Sequence, residues 1–149
     1  MVEACIATHT HYIDINGDIS VFEFIKTYDV AAKEANIMLL PGAGFDVIPT
    51  DCTALHLKEQ LPDATHLQLA FISNGGGLSH GTATTMAQRI GEKAVIRENG
   101  TFVRKPLGFK GMWLTVANKK RFVMSLQWGD ISTAHHTTCL LYTSDAADE

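Results

Sequence analysis

The sequence predicts an α/β chain, with a parallel-sheet segment over about residues 1–62 followed by an α+β segment paired antiparallel. Three observations predict it. A stretch of helical spacing leads directly into the apolar run Ile37-Met38-Leu39-Leu40, the pattern of a helix feeding a strand buried on both faces of a parallel sheet. Pro62-Asp63 then closes a second helical stretch, and the character of the chain changes. Beyond it, Asn99-Gly100 lies between two short β-forming runs, a strong hairpin signal.

The elements follow in order. Residues 2–7 are apolar and fit the end of a helix. His11-Tyr12-Ile13-Asp14-Ile15 alternates as a strand does, and Asn16-Gly17-Asp18 reads as a turn. Ser20 and Glu23 have the spacing of a capping box, in which the serine hydroxyl satisfies an orphan N–H and the glutamate reaches back. Val21, Ile25, Tyr28, Ala32 and Ala35 continue at helical spacing, and Asn36 is a left-handed stop. After the Leu39-Leu40 strand comes the loop Pro41-Gly42-Ala43-Gly44. Pro49 then favours a first helical turn, with the helix running to about Leu61. In the second segment, residues 67–72 read as a strand, 74–77 as a glycine loop and 82–90 as a helix. Residues 95–97 and 101–103 read as a hairpin, Lys119-Lys120-Arg121 as a solvated turn, and 122–126 as a further strand.

Composition narrows the function. A net charge of −4 with only one short basic run argues against a general nucleic-acid partner. No apolar run approaches the roughly 18 residues needed to span a bilayer, so no membrane partner is expected. Three irregularly spaced cysteines form neither a disulfide framework nor a zinc pattern, which fits a reducing, cytoplasmic setting. Seven histidines offer no strong metal spacing, and no metal is expected.

Residues 139–149, Cys-Leu-Leu-Tyr-Thr-Ser-Asp-Ala-Ala-Asp-Glu, resemble a translated sequencing-library adapter over all eleven positions. They lack apolar periodicity and are expected to stand outside the fold as a non-native tail.

Three segments resemble the saccharopine-dehydrogenase-like oxidoreductases. Residues 10–18, Thr-His-Tyr-Ile-Asp-Ile-Asn-Gly-Asp, are similar to that family's G-T-H-Y-x-D-x-T-G-E. Residues 44–51, Gly-Phe-Asp-Val-Ile-Pro-Thr-Asp, are similar to G-F-D-S-x-P-S-D, with Val47 in place of the serine. Residues 128–134, Trp-Gly-Asp-Ile-Ser-Thr-Ala, are similar to W-G-D-x-x-T-A. His9 stands where the family has glycine. The resemblance covers about residues 2–138. It implies the C-terminal part of a Rossmann-like nucleotide-binding domain over residues 1–62 and the start of an α+β substrate domain over 63–138. It implies NAD(P) as cofactor, hydride transfer to or from a small organic substrate, and a chain cut at both ends and inactive alone. The open sheet edge of such a piece invites self-association. The Gly-rich fingerprint is missing, because Gly42-x-Gly44 is not completed by a third glycine.

The resemblance assigns the site. His11 and Tyr12 are candidates to orient or move protons, with Asp14 beside them. Asp46 follows a strand end, where ligands of α/β sheets collect. Gly42, Gly44 and Phe45 are the cofactor-side candidates, with Phe45 as a wall for the nicotinamide. Asp51 reads as a helix cap. A different class of function also has a motif. Gly77-Leu78-Ser79-His80-Gly81 matches the G-x-S-x-G nucleophile elbow of serine hydrolases, followed by Asp130 and His135 or His136 in hydrolase order. A third reading is a non-enzymatic module on the same fold.

Overall fold

The computed structural model describes residues 1–72, 80–88, 91 and 93–147. In chain order the elements are α1 (Val2–Ala7), β1 (Tyr12–Ile13), α2 (Ile19–Lys26), α3 (Asp29–Glu34), β2 (Leu39–Leu40), α4 (Ile48–Gln60), β3 (His66–Phe71), α5 (His80–Gln88), β4 (Ala94–Glu98), β5 (Thr101–Lys105), β6 (Gly111–Val116), β7 (Lys119–Leu126), α6 (Asp130–Thr138) and β8 (Tyr142–Ala147). The chain is a mixed α/β protein in two compact units, Met1–Thr65 with Trp128–Leu140, and His66–Gln127 with Leu141–Glu149. No helix among the described residues is long and apolar enough to cross a membrane.

In the first unit, β1 and β2 pair in parallel, Tyr12 opposite Leu39 and Ile13 opposite Leu40. The chain between them is helical, but broken. Asp18, not Ser20, caps α2: its Oδ1 accepts the Ser20 N–H at 2.8 Å and the Ser20 hydroxyl at 2.7 Å. Glu23 also accepts the Ser132 hydroxyl at Oε1, at 2.5 Å. The helix predicted to run on to Ala35 stops at Thr27. The Thr27 hydroxyl donates back to the Phe24 carbonyl at 2.6 Å, and the Thr27 and Tyr28 N–H groups close tight i−3 bonds, which favours ending a turn over extending it. After α3, Asn36 takes φ +53° and Ile37 N–H reaches the Ala32 carbonyl at 3.0 Å, a Schellman stop. The run predicted to be buried on both faces is not: Met38 is 48% and Leu40 41% exposed, because a two-stranded sheet cannot bury both faces of its strands.

The core of this unit forms where α4 and α2 pack on α6. Ile19, Phe22, Ile25, Val47, Ala54, Ile131 and Ala134 are all buried. The segment 128–138, which the sequence groups with the second part of the chain, therefore belongs to the first. The reason is packing: Ile131 and Ala134 have no exposed surface, and that apolar face completes the core of α2 and α4.

The second unit carries a six-stranded mixed sheet. β4 and β5 form the hairpin predicted from Asn99-Gly100, both with left-handed φ (+50° and +75°), as a type I′ turn requires. β6 and β7 form a second hairpin through Ala117-Asn118, also left-handed. The basic run at 119–121 begins β7 and is not a turn.

Residues 142–147, expected to lie outside the fold, form β8. This strand pairs in parallel with β3 along all six residues, and antiparallel with β4 at Thr143 and with β7 at residues 145–147. The expectation rested on missing apolar periodicity. A strand is also stabilised by its backbone ladder, and β3, β4 and β7 each offer it an edge. Tyr142 stacks on His66 at 4.3 Å and donates its hydroxyl to Asn99 Oδ1, while the Leu141 carbonyl accepts the Gly100 N–H at 2.9 Å.

Truncation after Leu140 should strip three strands of a partner and lower Tm by about 5 °C or more. A melting curve unchanged by truncation would place the tail outside the fold.

Candidate functional site

Parallel strands deliver their following loops to one end of a sheet, where ligands of α/β proteins collect. Here β1 leads into residues 14–17 and β2 into residues 41–46. Asp14 joins the two loops. Its Oδ1 accepts the N–H of Gly42 at 2.9 Å and of Asn16 at 2.9 Å. Its backbone carbonyl accepts the Ala43 N–H at 2.7 Å. Its Oδ2 accepts the Tyr12 hydroxyl in a short bond. Partial burial opposes charge on Asp14, but these donors outweigh it and hold the carboxyl below its ordinary pKa. The bond to Asp14, reinforced by burial, pushes Tyr12 up to about 12. Tyr12 thus stays a neutral phenol with its proton committed to Asp14. It braces the loops and is poorly placed to move protons.

His11 sits at the other end of the strand. It precedes the first residue pair of the sheet, and its Nδ1 accepts the Met38 N–H at 2.9 Å. The ring holds the β2 entry in register. The structure brings Tyr12, Asp14, the 41–46 loop and Asp46 to the carboxyl end, and leaves His11 at the amino end.

Asp46 is the half-buried acid of this end, and burial raises its pKa. Its carboxylate has no hydrogen-bond partner among the described residues. Its backbone is fixed, since Trp128 Nε1–H donates to the Asp46 carbonyl at 2.9 Å. Gly17 lies close by: a Cβ there would stand 2.9 Å from Asp46 Oδ2. Phe45, next in the loop, is 80% exposed.

Gly42 and Gly44 are the glycines that the resemblance places on the cofactor side. Both are packing glycines here. A Cβ on Gly42 would come 2.7 Å from Phe22 Cζ, and one on Gly44 3.1 Å from Ile15 Cβ. The helix that follows has Pro49, without an N–H, and Asp51 in its first turn. A dinucleotide diphosphate needs open backbone N–H groups at a helix N-terminus. Packed glycines and an acidic first turn do not fit that group, so this loop is not its cradle.

The acid that the sequence reading assigned to a hydrolase has another place. Asp130 is 1% exposed and accepts the Thr50 hydroxyl at 2.5 Å. His135 turns its Nδ1 to the Leu140 carbonyl at 2.6 Å, so Asp130 and His135 form no acid–histidine pair. Ser79 lies outside the described residues. Among the described residues, no group of three His, Cys, Asp or Glu is placed to hold a metal ion. The signal that could have found Asp130 was the spacing of Trp128-Gly129-Asp130, but its partner Thr50 is 80 residues away.

No family model matches the chain. Two curated relatives, each described as a saccharopine dehydrogenase-like oxidoreductase, come from Rattus norvegicus and Mus musculus. Each is 27% identical over 104 residues, covering 66% of this chain and 24% of the relative. The chain is thus distantly similar to oxidoreductases and spans about a quarter of their length.

The Asp14 joint sets a measurable coupling. Asp14→Ala removes a charged acceptor of three donors and should cost about 2 kcal/mol of folding stability, and Tyr12→Phe about 1 kcal/mol. In a urea-unfolding double-mutant cycle the pair should cost little more than Asp14→Ala alone. Additive losses would show that the Tyr12 hydroxyl does not bond Asp14.

Proposed function

We propose that this chain is part of an NAD(P)-dependent oxidoreductase that moves hydride between the cofactor and a small organic substrate. The observation that supports it best is Asp46: a half-buried carboxylate of raised pKa, without a partner among the described residues, beside an exposed aromatic ring at the carboxyl end of a parallel strand pair. The distant similarity to oxidoreductases supports the reaction class.

In this reading, hydride chemistry belongs to the cofactor, and the chain binds and orients. Asp46 receives the polar group of a bound substrate, and burial, which raises its pKa, favours a proton shared with that group. Phe45 offers an apolar face to a flat ring. Tyr12 and Asp14 hold the 41–46 loop so that Asp46 meets its partner without reorganisation. His11 contributes through strand register. The grip on the cofactor diphosphate lies outside this chain, in keeping with the packed state of Gly42 and Gly44. A cytoplasmic location and self-association through the open β1–β2 pair belong to the same reading.

Two measurements test it. The isolated chain should bind NADH and NADPH more weakly than a Kd of about 10 μM, near −7 kcal/mol, by calorimetry; tighter binding would overturn the assignment of the diphosphate grip elsewhere. In the chain extended to the length of its relatives, Asp46→Asn should cut kcat/KM about tenfold or more, roughly 1.4 kcal/mol. His11→Ala should lower Tm but leave kcat within about threefold. Turnover that survives Asp46→Asn and vanishes with Ser79→Ala would favour the hydrolase reading instead.

A further inference from the structure

Helices α4 and α6 pack against each other, and acids supply the polar contacts between them. Asp130, in the first turn of α6, accepts the Thr50 hydroxyl at 2.5 Å from the first turn of α4. Asp51, the next residue of α4, accepts the Thr137 hydroxyl at 2.5 Å through Oδ2. Its Oδ1 is buried without a partner among the described residues, as is Thr133 Oγ1 one turn along α6. No lysine or arginine among the described residues pairs with Asp46, Asp51 or Asp130. Asp130 is the extreme case, 1% exposed and facing a single side-chain hydroxyl.

We infer that Asp130 is a proton-operated clamp: neutral, it holds the start of α4 against α6, and ionised, it loosens that start together with the loop that carries Phe45 and Asp46. The chain path makes the coupling direct. Residues 44–47 lead into α4, closed by the Ile48 N–H on the Gly44 carbonyl at 3.1 Å. Trp128, two residues before Asp130, holds the Asp46 carbonyl. A neutral carboxyl in this position can both accept from Thr50 and donate its own proton. An ionised one leaves a buried charge with no countercharge, which proteins relieve by neutralising the group or opening the site.

The groups around Asp130 oppose one another, burial with the neighbouring acids disfavouring the charged carboxylate and the Thr50 hydroxyl and the Asp130 backbone N–H favouring it. Burial is the main cause that pushes its pKa up to about 7; the Thr50 bond offsets part of this, and Asp51 and then Asp46 add to it. From α2, Glu23 and Lys26 meet α6 at Ser132 as a bonded pair, 2.7 Å apart, so their charges largely cancel there. On α6 itself, His135 is turned to the Leu140 carbonyl. The sign follows. Between the ordinary carboxyl pKa near 4 and about 7, the folded state keeps a proton that the unfolded state has released. Stability from this group is therefore greatest at the acid end of that window, declines as pH rises through it and levels off above about 7. The inference does not depend on the reaction proposed above.

The direct test is the Asp130 carboxyl itself, followed by carbon-13 NMR on the intact chain. A midpoint within about one unit of 7 supports the clamp, and a midpoint near 4 overturns it. Amide exchange, expressed as protection factors, should show residues 44–52 losing protection about tenfold between pH 5.5 and 8, while α2 keeps its own. Equal behaviour of the two segments would overturn the coupling. Asp130→Asn should flatten both the protection change and the fall of Tm between pH 5 and 7. If that variant folds poorly, Thr50→Val keeps the buried acid but removes the bond that favours its charge, and should move the midpoint upward; a midpoint unmoved would show that Thr50 and Asp130 are not a working pair.

Discussion

The ring of Phe22 is the piece around which the first unit is assembled. It is 1% exposed, and the space it needs is left by residues without side chains. A Cβ on Gly42 would stand 2.7 Å from Cζ of the ring, and a Cβ on Gly129 2.8 Å from Cε2. Val47 closes on both glycines, at 3.2 Å from the Gly42 position and 3.3 Å from that of Gly129. One aromatic side chain thus brings together the loop after β2, the start of α4 and the turn before α6. Close packing of this kind tolerates little change in volume. It explains why glycines that resemble part of a nucleotide fingerprint have a different duty: their missing side chains are filled by Phe22 and Ile15, and little open backbone remains for a phosphate.

On this scaffold the polar chemistry divides into two carboxylate environments. Asp14 is surrounded by donors, namely two backbone N–H groups and a phenol, and is held as an anion that ties two loops together. Asp130 has the Thr50 hydroxyl, its own backbone N–H and near-complete burial, and Asp46 has partial burial and no partner among the described residues. The same functional group is therefore held as an anion at one place and pushed toward its neutral form at the others. The difference comes from the count of donors set against desolvation. It also reverses the roles that residue type alone assigns. Tyr12 and His11 look like proton carriers, yet the Tyr12 hydroxyl is bonded to Asp14 and the exposed His11 gives its Nδ1 to the Met38 N–H. Asp46, whose carboxylate has no hydrogen-bond partner among the described residues, stands beside a ring that is 80% exposed.

Much of the fold was legible in local chemistry. Pro49 marks the first turn of α4, Asn36 the left-handed stop after α3, and Asn99-Gly100 the turn between β4 and β5. Each is a backbone φ/ψ preference carried by one or two residues, which needs no distant partner to act. The three motif segments at 10–18, 44–51 and 128–134 were legible too, and they converge in one unit. Where local reading failed, two local solutions competed. Ser20 and Asp18 both suit a helix start, and Asp18 won by accepting both the N–H and the hydroxyl of Ser20.

By itself, then, the sequence determined the mixed α/β class, most element positions and the segments that matter, because those follow from periodicity and turn chemistry within a few residues. Only the tertiary structure decided the partners. Thr50 meets Asp130 across 80 residues, Trp128 meets Asp46 across 82 and Ser132 meets Glu23 across 109. Nothing in the local chain encodes such pairs, because they arise when α2 and α4 bury their apolar faces against α6. The same holds for β8, a polar stretch without helical or strand periodicity that is ordered by the open edges of β3, β4 and β7. A backbone ladder depends on which edges are available, and that is a property of the folded sheet and not of the segment that joins it.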